Sequence, residues 1–96
     1  MYLEVLVCYD IADNKRRRKL VKELKDLGLL NVQESVFWGR IVYAEFKAVR
    51  NLFEKLLKKE EDKAFLIRCD LSKQVGNQSF GYPDKSMFEE KEYEII

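Results

Sequence analysis

Ninety-six residues, 47% hydrophobic and 36% charged, suffice for one small hydrophobic core and are too few for two linked domains. The chain has no histidine, which excludes Ser-His and Cys-His triads, histidine general bases and imidazole zinc sites, and leaves carboxylates to carry any metal or proton chemistry. Net charge is only +1, but residues 1–50 hold ten Lys and Arg against seven Asp and Glu while residues 51–96 hold eight against ten, so a basic patch rather than a basic protein needs explaining.

No stretch approaches the roughly 18 apolar residues of a membrane-spanning helix, and Met1–Glu4 has no basic leader, so a cytoplasmic protein with no membrane partner is expected. Cys8 and Cys69 cannot close a four-ligand zinc site and are expected to be free buried thiols.

Residues 2–11 are rich in β-branched and aromatic types and read as a strand ending near Asp10. Asp13 or Asn14 then caps a helix in which Leu20, Val21, Leu24 and Leu27 form one apolar stripe, closed by Gly28. Val32–Phe37 and Ile41–Phe46 read as a hairpin turning over Trp38-Gly39-Arg40. From Ala48 to about Lys59, the spacing of Val49, Leu52, Phe53, Leu56 and Leu57 predicts a second amphipathic helix. Lys63–Leu71 reads as a fourth strand, followed by a loop-rich stretch with one short strand near Ser79–Tyr82. Residues 1–83 would form the domain, and residues 84–96, with five acids and two lysines, an acidic tail expected to be partly disordered.

The order βαββαβ within about 75 residues predicts an α+β, ferredoxin-like sandwich with both helices on one face of an antiparallel sheet. On the first strand Leu3, Val5, Val7, Tyr9 and Ile11 share the face expected against the helices. Tyr2, Glu4, Leu6, Cys8 and Asp10 share the other, joined by Leu66 and Tyr43 from neighbouring strands. A homodimer packing sheet on sheet would cover that second face and bring two copies of Asp10 together.

Asp10 at the carboxyl end of an apolar strand reads either as a cap for the following turn or as a ligand for a hard cation, since Mg²⁺ often takes only one or two carboxylates. The run Lys15-Arg16-Arg17-Arg18-Lys19 opens a helix, where the macrodipole disfavours cations. Stepping 100° per residue turns Lys15, Arg18, Lys22 and Lys25 to solvent and leans Arg16 and Arg17 toward Asp10, while Lys19-Glu23 and Lys22-Asp26 can pair along the helix. Gln33, Ser35 and Phe37 fall on one strand face and offer an amide, a hydroxyl and a ring to a nucleic acid, or simply pair as strand residues. Tyr43-Ala44-Glu45-Phe46 is similar to the aromatic strand of an RNA-recognition motif but lacks its basic, glycine-rich lead-in.

Val7-Cys8-Tyr9-Asp10-Ile11, Arg17, Gly28 and Val32-Gln33-Glu34-Ser35-Val36-Phe37, continuing through Gly39 to Gly81-Tyr82, resemble the CRISPR-associated small endoribonuclease family, the second of the two core CRISPR adaptation proteins. The resemblance implies a ferredoxin-like homodimer with facing sheets, in which the short C-terminal strand pairs with the partner. It also implies a Mg²⁺-dependent nuclease acting on single-stranded RNA or double-stranded DNA, or a bridge between dimers of the CRISPR integrase, the Cas-one family protein, during spacer acquisition. Carried over by position, Asp10 would be the catalytic and metal-binding residue, Arg17 the family's arginine on the first helix and Ser35, Val36 and Phe37 its Ser-Val-Phe segment. Arg17, Ser35 and Phe37 would meet the nucleic acid, together with Arg16 and Lys19 from the basic run. Trp38 stands where many members have Glu, Lys19 where some have Arg, and Asn31 where some have a basic residue.

Overall fold

A computed structural model describes residues 1–83 and Phe88. The expected acidic tail, apart from Phe88, lies outside the described residues. Seven elements follow in order: β1 (Leu3–Asp10), α1 (Asn14–Asp26), β2 (Leu30–Gln33), β3 (Val36–Ile41), α2 (Tyr43–Leu56), β4 (Lys63–Arg68) and α3 (Leu71–Gln78). The four strands form one antiparallel sheet in the order β2-β3-β1-β4, with β1 paired to β3 and β4 on its two sides.

The alternation of β1 sorts its side chains as its sequence predicts. Val5, Val7 and Tyr9 are buried with Ile11, and they pack with Leu20 and Leu24 of α1 and Val49 of α2. Truncating either fully buried leucine to Ala should cost about 2–5 kcal/mol. Asp13 caps α1, its carboxylate accepting the Arg16 N–H at 2.9 Å, and Gly28 closes the helix at φ +88°. Both cysteines are free thiols.

The hairpin differs from expectation. Its turn lies at Glu34-Ser35, with Ser35 in the left-handed region at φ 64°, and Asn31 Nδ2 donates to the carbonyls of Gln33 (2.8 Å) and Val36 (3.0 Å) to brace it. Gly39 is therefore a strand residue. A Cβ there would lie 2.9 Å from Leu29 Cδ2 and 3.4 Å from Leu29 Cα, where the chain leaving α1 enters β2 beside β3, so a larger residue would force the buried Leu29 side chain to shift. The second expected hairpin strand also gives way, because α2 already begins at Tyr43, with the Glu45 side chain accepting the Val42 N–H at 2.9 Å. The aromatic Tyr43–Phe46 stretch is thus the first turn of a helix, and Tyr43 is not on the sheet.

The second sheet face is likewise not formed as expected. Register pairs Leu66 with Val7 on the helix side, while Phe65 and Ile67 lie across from Cys8 and Leu6. Where loops were expected, α3 folds back over part of this face, bordering with Leu71 and Val75 a cavity of about 410 Å³ that Leu6, Cys8 and Val36 also line. Ser79–Tyr82 is irregular rather than a strand, with Gly81 in the left-handed region at φ +86°, which breaks an extended run. Among the described residues, no helix is long and apolar enough to cross a membrane.

Candidate functional site

Asp10 is the last residue of β1 and is exposed on the face away from α1 and α2, cross-strand from Lys63. Among the described residues its carboxylate has no hydrogen-bond or ion-pair partner. Two elements converge on its neighbours. The Tyr9 N–H donates to the Ser35 carbonyl (3.1 Å), which pins the hairpin turn on one side. Arg17 Nη2 donates to the Ile11 carbonyl (2.9 Å) and its Nη1 to Asn14 Oδ1 (2.6 Å), which pins α1 on the other. An open cavity of about 290 Å³ lies against Asp10, walled by Cys8, Tyr9, Lys63, Ala64 and Phe65. Burial raises the Tyr9 phenol above its ordinary range against the nearby Arg17 charge, which lowers it, and burial also pushes the Cys8 thiol up. Neither group is an anion near neutral pH, so Asp10 is the hard oxygen donor of this corner.

The other expected site residues divide. Arg17 and Ser35 join Asp10 through the backbone bonds just given. Lys19 is exposed on α1, and of the two expected helix pairs Lys22–Asp26 is present at 2.9 Å. Arg16 leans inward as the helical wheel predicts but is occupied: its Nε and Nη2 grip Asp62 at 2.8 and 3.2 Å, and Nη2 also meets Glu61 at 3.3 Å. Phe37 is a correction. Its ring is 0% exposed and packs against Tyr9 on the helix-facing side, 6.2 Å between centroids, so it is a core residue rather than a nucleic-acid contact. Because the turn falls at Glu34-Ser35, Gln33, Ser35 and Phe37 do not form one presenting face either, and Gln33 instead accepts the Tyr82 hydroxyl at 3.0 Å.

The opposite end of β1 carries a second acidic centre that sequence reading missed. Glu4 accepts Trp38 Nε1–H (3.0 Å), the Ser72 N–H (3.1 Å) and hydroxyl (2.8 Å) and the Cys69 thiol (3.6 Å), with Arg40 Nη2 at 3.9 Å. Burial alone would raise its pKa, but these donors outweigh burial and hold it below the ordinary carboxylate range. Arg40 also lies 5.2 Å over the Trp38 ring, whose edge meets Phe88. The available signal was an acid near the start of a strand face that also carries Tyr2, Leu6 and Cys8, but its partners Cys69, just before α3, and Ser72, in its first turn, lie 65 and 68 residues away.

Among the described residues, no group of three or more His, Cys, Asp or Glu could hold a metal ion. The donor chemistry at Asp10 fits Mg²⁺ only as one carboxylate of a set shared with water or with a second copy of the chain.

The model of the family described as CRISPR associated protein Cas2 matches residues 1–75. The chain is 43% identical over 90 residues to CRISPR-associated endoribonuclease Cas2 1 of Francisella tularensis subsp. novicida, covering 94% of this chain and 92% of that one. It is 33% identical over 89 residues to CRISPR-associated endoribonuclease Cas2 of Desulforudis audaxviator, covering 88% and 83%. Among solved structures it is similar to Streptococcus pyogenes Cas2, with a TM-score of 0.68 at 25% identity over 83% of this chain and 99% of that one. A hypothetical protein of Thermus thermophilus, TT1823, gives a TM-score of 0.66 at 30% identity over 73% and 84%.

Proposed function

Since the chain belongs to the CRISPR-associated Cas2 family, we propose that it is a Mg²⁺-dependent endonuclease of CRISPR spacer acquisition, cutting phosphodiester bonds of single-stranded RNA or double-stranded DNA. The observation that carries this reading is the unpaired Asp10 carboxylate, placed beside an open cavity between two anchored neighbours. Asp10 and its symmetry mate would hold Mg²⁺, which when bound supplies Lewis acidity and an activated water. Arg17 fixes the backbone behind Asp10, and Lys19 offers its ammonium to a phosphate. Lys63, across from Asp10, keeps positive charge near an incoming polyanion.

The strand order β2-β3-β1-β4 supports a ferredoxin-like sandwich, and the uncovered half of its sheet supports a homodimer with facing sheets. Phe65 and Ile67 are 52% and 45% exposed beside Leu6 and Cys8, and Phe80 is 97% exposed within the segment expected to pair with the partner. A second reading is a non-catalytic adaptor that bridges the Cas-one integrase on protospacer DNA in the cytoplasm. It is favoured by one observation: among the described residues, Asp10 is the one carboxylate lining its cavity and no group of three or more metal-ligating side chains forms.

Cleavage of labelled single-stranded RNA and duplex DNA separates the two. Mg²⁺-dependent cutting, lost in EDTA and in Asp10→Ala while the dimer mass persists, is expected of the nuclease. Equal cutting by Asp10→Ala, or none by the wild type, would leave the adaptor.

A further inference from the structure

Asp62 is the charged side chain that the described core buries, and the chemistry proposed at Asp10 makes no direct use of it. Its Oδ1 accepts the Ala12 N–H at 3.0 Å and Arg16 Nη2 at 3.2 Å. Its Oδ2 accepts Arg16 Nε at 2.8 Å and the Lys58 N–H at 2.9 Å. One carboxylate thus ties together the turn two residues beyond Asp10, the first turn of α1 and the exit from α2. The next residue, Lys63, is the cross-strand neighbour of Asp10.

Such a pair is a poor device for stability alone, because desolvating two charges offsets much of their attraction and apolar replacements often do as well. Its distinctive property is geometry. The Arg fork meets both carboxylate oxygens, so the direction of α1 is set as well as its distance. Arg17 follows Arg16 on the same turn, and its reach to the Ile11 carbonyl depends on where that turn sits. Asp10 therefore precedes a segment held at Ile11 by Arg17 and at Ala12 by Asp62.

We propose that Asp62 and Arg16 are positioning residues for the Asp10 site, fixing the Ile11–Asp13 turn so that Asp10 and Arg17 keep their aim, and that Arg16 acts through Asp62 rather than on a phosphate. The inference rests on Asp10 being the metal ligand. It accounts for a basic residue in a helical first turn, where the dipole disfavours it, without asking the nucleic acid to supply the compensating charge.

The test compares the full-length wild type with Asp62→Asn, Arg16→Ala, Arg16→Lys and Asp62→Asn/Arg16→Ala. Thermal melts and dimer mass are read beside the Mn²⁺ dissociation constant by calorimetry and kcat and KM for cleavage. Each single variant should weaken Mn²⁺ binding and lower kcat by about tenfold or more, as loss of a supporting contact behind a metal ligand does. KM should stay within about twofold, and the double variant should be no worse than the more impaired single one. Arg16→Lys should fail like Arg16→Ala, since an ammonium cannot reproduce the fork. If Asp62→Asn does not fold, the two Arg16 variants decide alone. A rise in KM that Arg16→Lys restores would make Arg16 a phosphate ligand and overturn the proposal. So would folded variants that melt earlier yet keep wild-type Mn²⁺ affinity and kcat. A wild type that neither binds Mn²⁺ nor cuts would overturn the Asp10 reading and this inference with it.

Discussion

Glu4 and Asp10 lie on the same face of β1, six residues and about 20 Å apart along the strand, in opposite surroundings. Glu4 is nearly buried, with both oxygens taken by Trp38, Cys69 and the first turn of α3. Asp10 is exposed, and the bonds that anchor its neighbours lie one residue away on either side, the Tyr9 N–H donating to Ser35 and the Ile11 carbonyl accepting from Arg17. Two carboxylates on one strand thus serve different ends. A carboxylate whose oxygens are all accepted for internally organises the fold, whereas one whose neighbours are fixed but whose own oxygens are open is available to an external cation. Asp62 is a third case, fully engaged like Glu4 but engaged with the turn that carries Asp10.

Substitutions can break this contrast from either side. The largest effect is expected at Asp10→Ala: a loss of metal-dependent cleavage of about a thousandfold or more, as removal of several kcal/mol of charge stabilisation implies. Its stability by urea denaturation should change by less than about 0.5 kcal/mol, as for an exposed surface position. Glu4→Ala should do the reverse. It strands the Trp38 and Ser72 donors, so unfolding free energy should fall by about 2 kcal/mol and the melting temperature by roughly 10 °C, while kcat per folded dimer is kept. Trp38→Phe keeps an aromatic ring but loses the indole N–H and the volume of the second ring, and should cost about 1–2 kcal/mol in the same denaturant assay.

The smallest effect is a slope. Because the folded pKa of Glu4 is lowered, its contribution is fully present above its unfolded value near 4.3 and is lost as pH falls through the folded value. Melts between pH 7 and pH 3 should therefore show the gap between wild type and Glu4→Gln constant at first and closing only below about pH 4. Asp62, held well below the carboxylate range by Arg16 and the Lys58 N–H, acts with the same sign, so the wild type should still lose stability in acid after Glu4 is neutralised.

How legible these centres were in the sequence follows the range of their interactions. The apolar alternation of β1, the stripe of α1 and its Asp13 cap are local, and they place Asp10 at a strand end and Arg17 on the first turn beyond it. The hairpin was misplaced because Gly39 looks like a turn residue, whereas it is a strand position emptied to let Leu29 pass. That shift carries Phe37 to the core, since strand faces exchange with each single-residue change of register. The start of α2 was hidden because Tyr-Ala-Glu-Phe suits a strand until Glu45 is seen to cap Val42. Helix α3 and the engagement of Arg16 depend on partners 68 and 46 residues away, which no local pattern announces.

The distinction between an open and a closed carboxylate on β1 is tested most directly by titrating the isotope-labelled protein with Mn²⁺ and following amide signals by NMR. Selective broadening at Tyr9, Asp10, Ile11 and Ser35 with Glu4 and Ser72 spared, abolished in Asp10→Asn, is the predicted result. Broadening centred on Glu4, or a pattern that Asp10→Asn leaves unchanged, would contradict it.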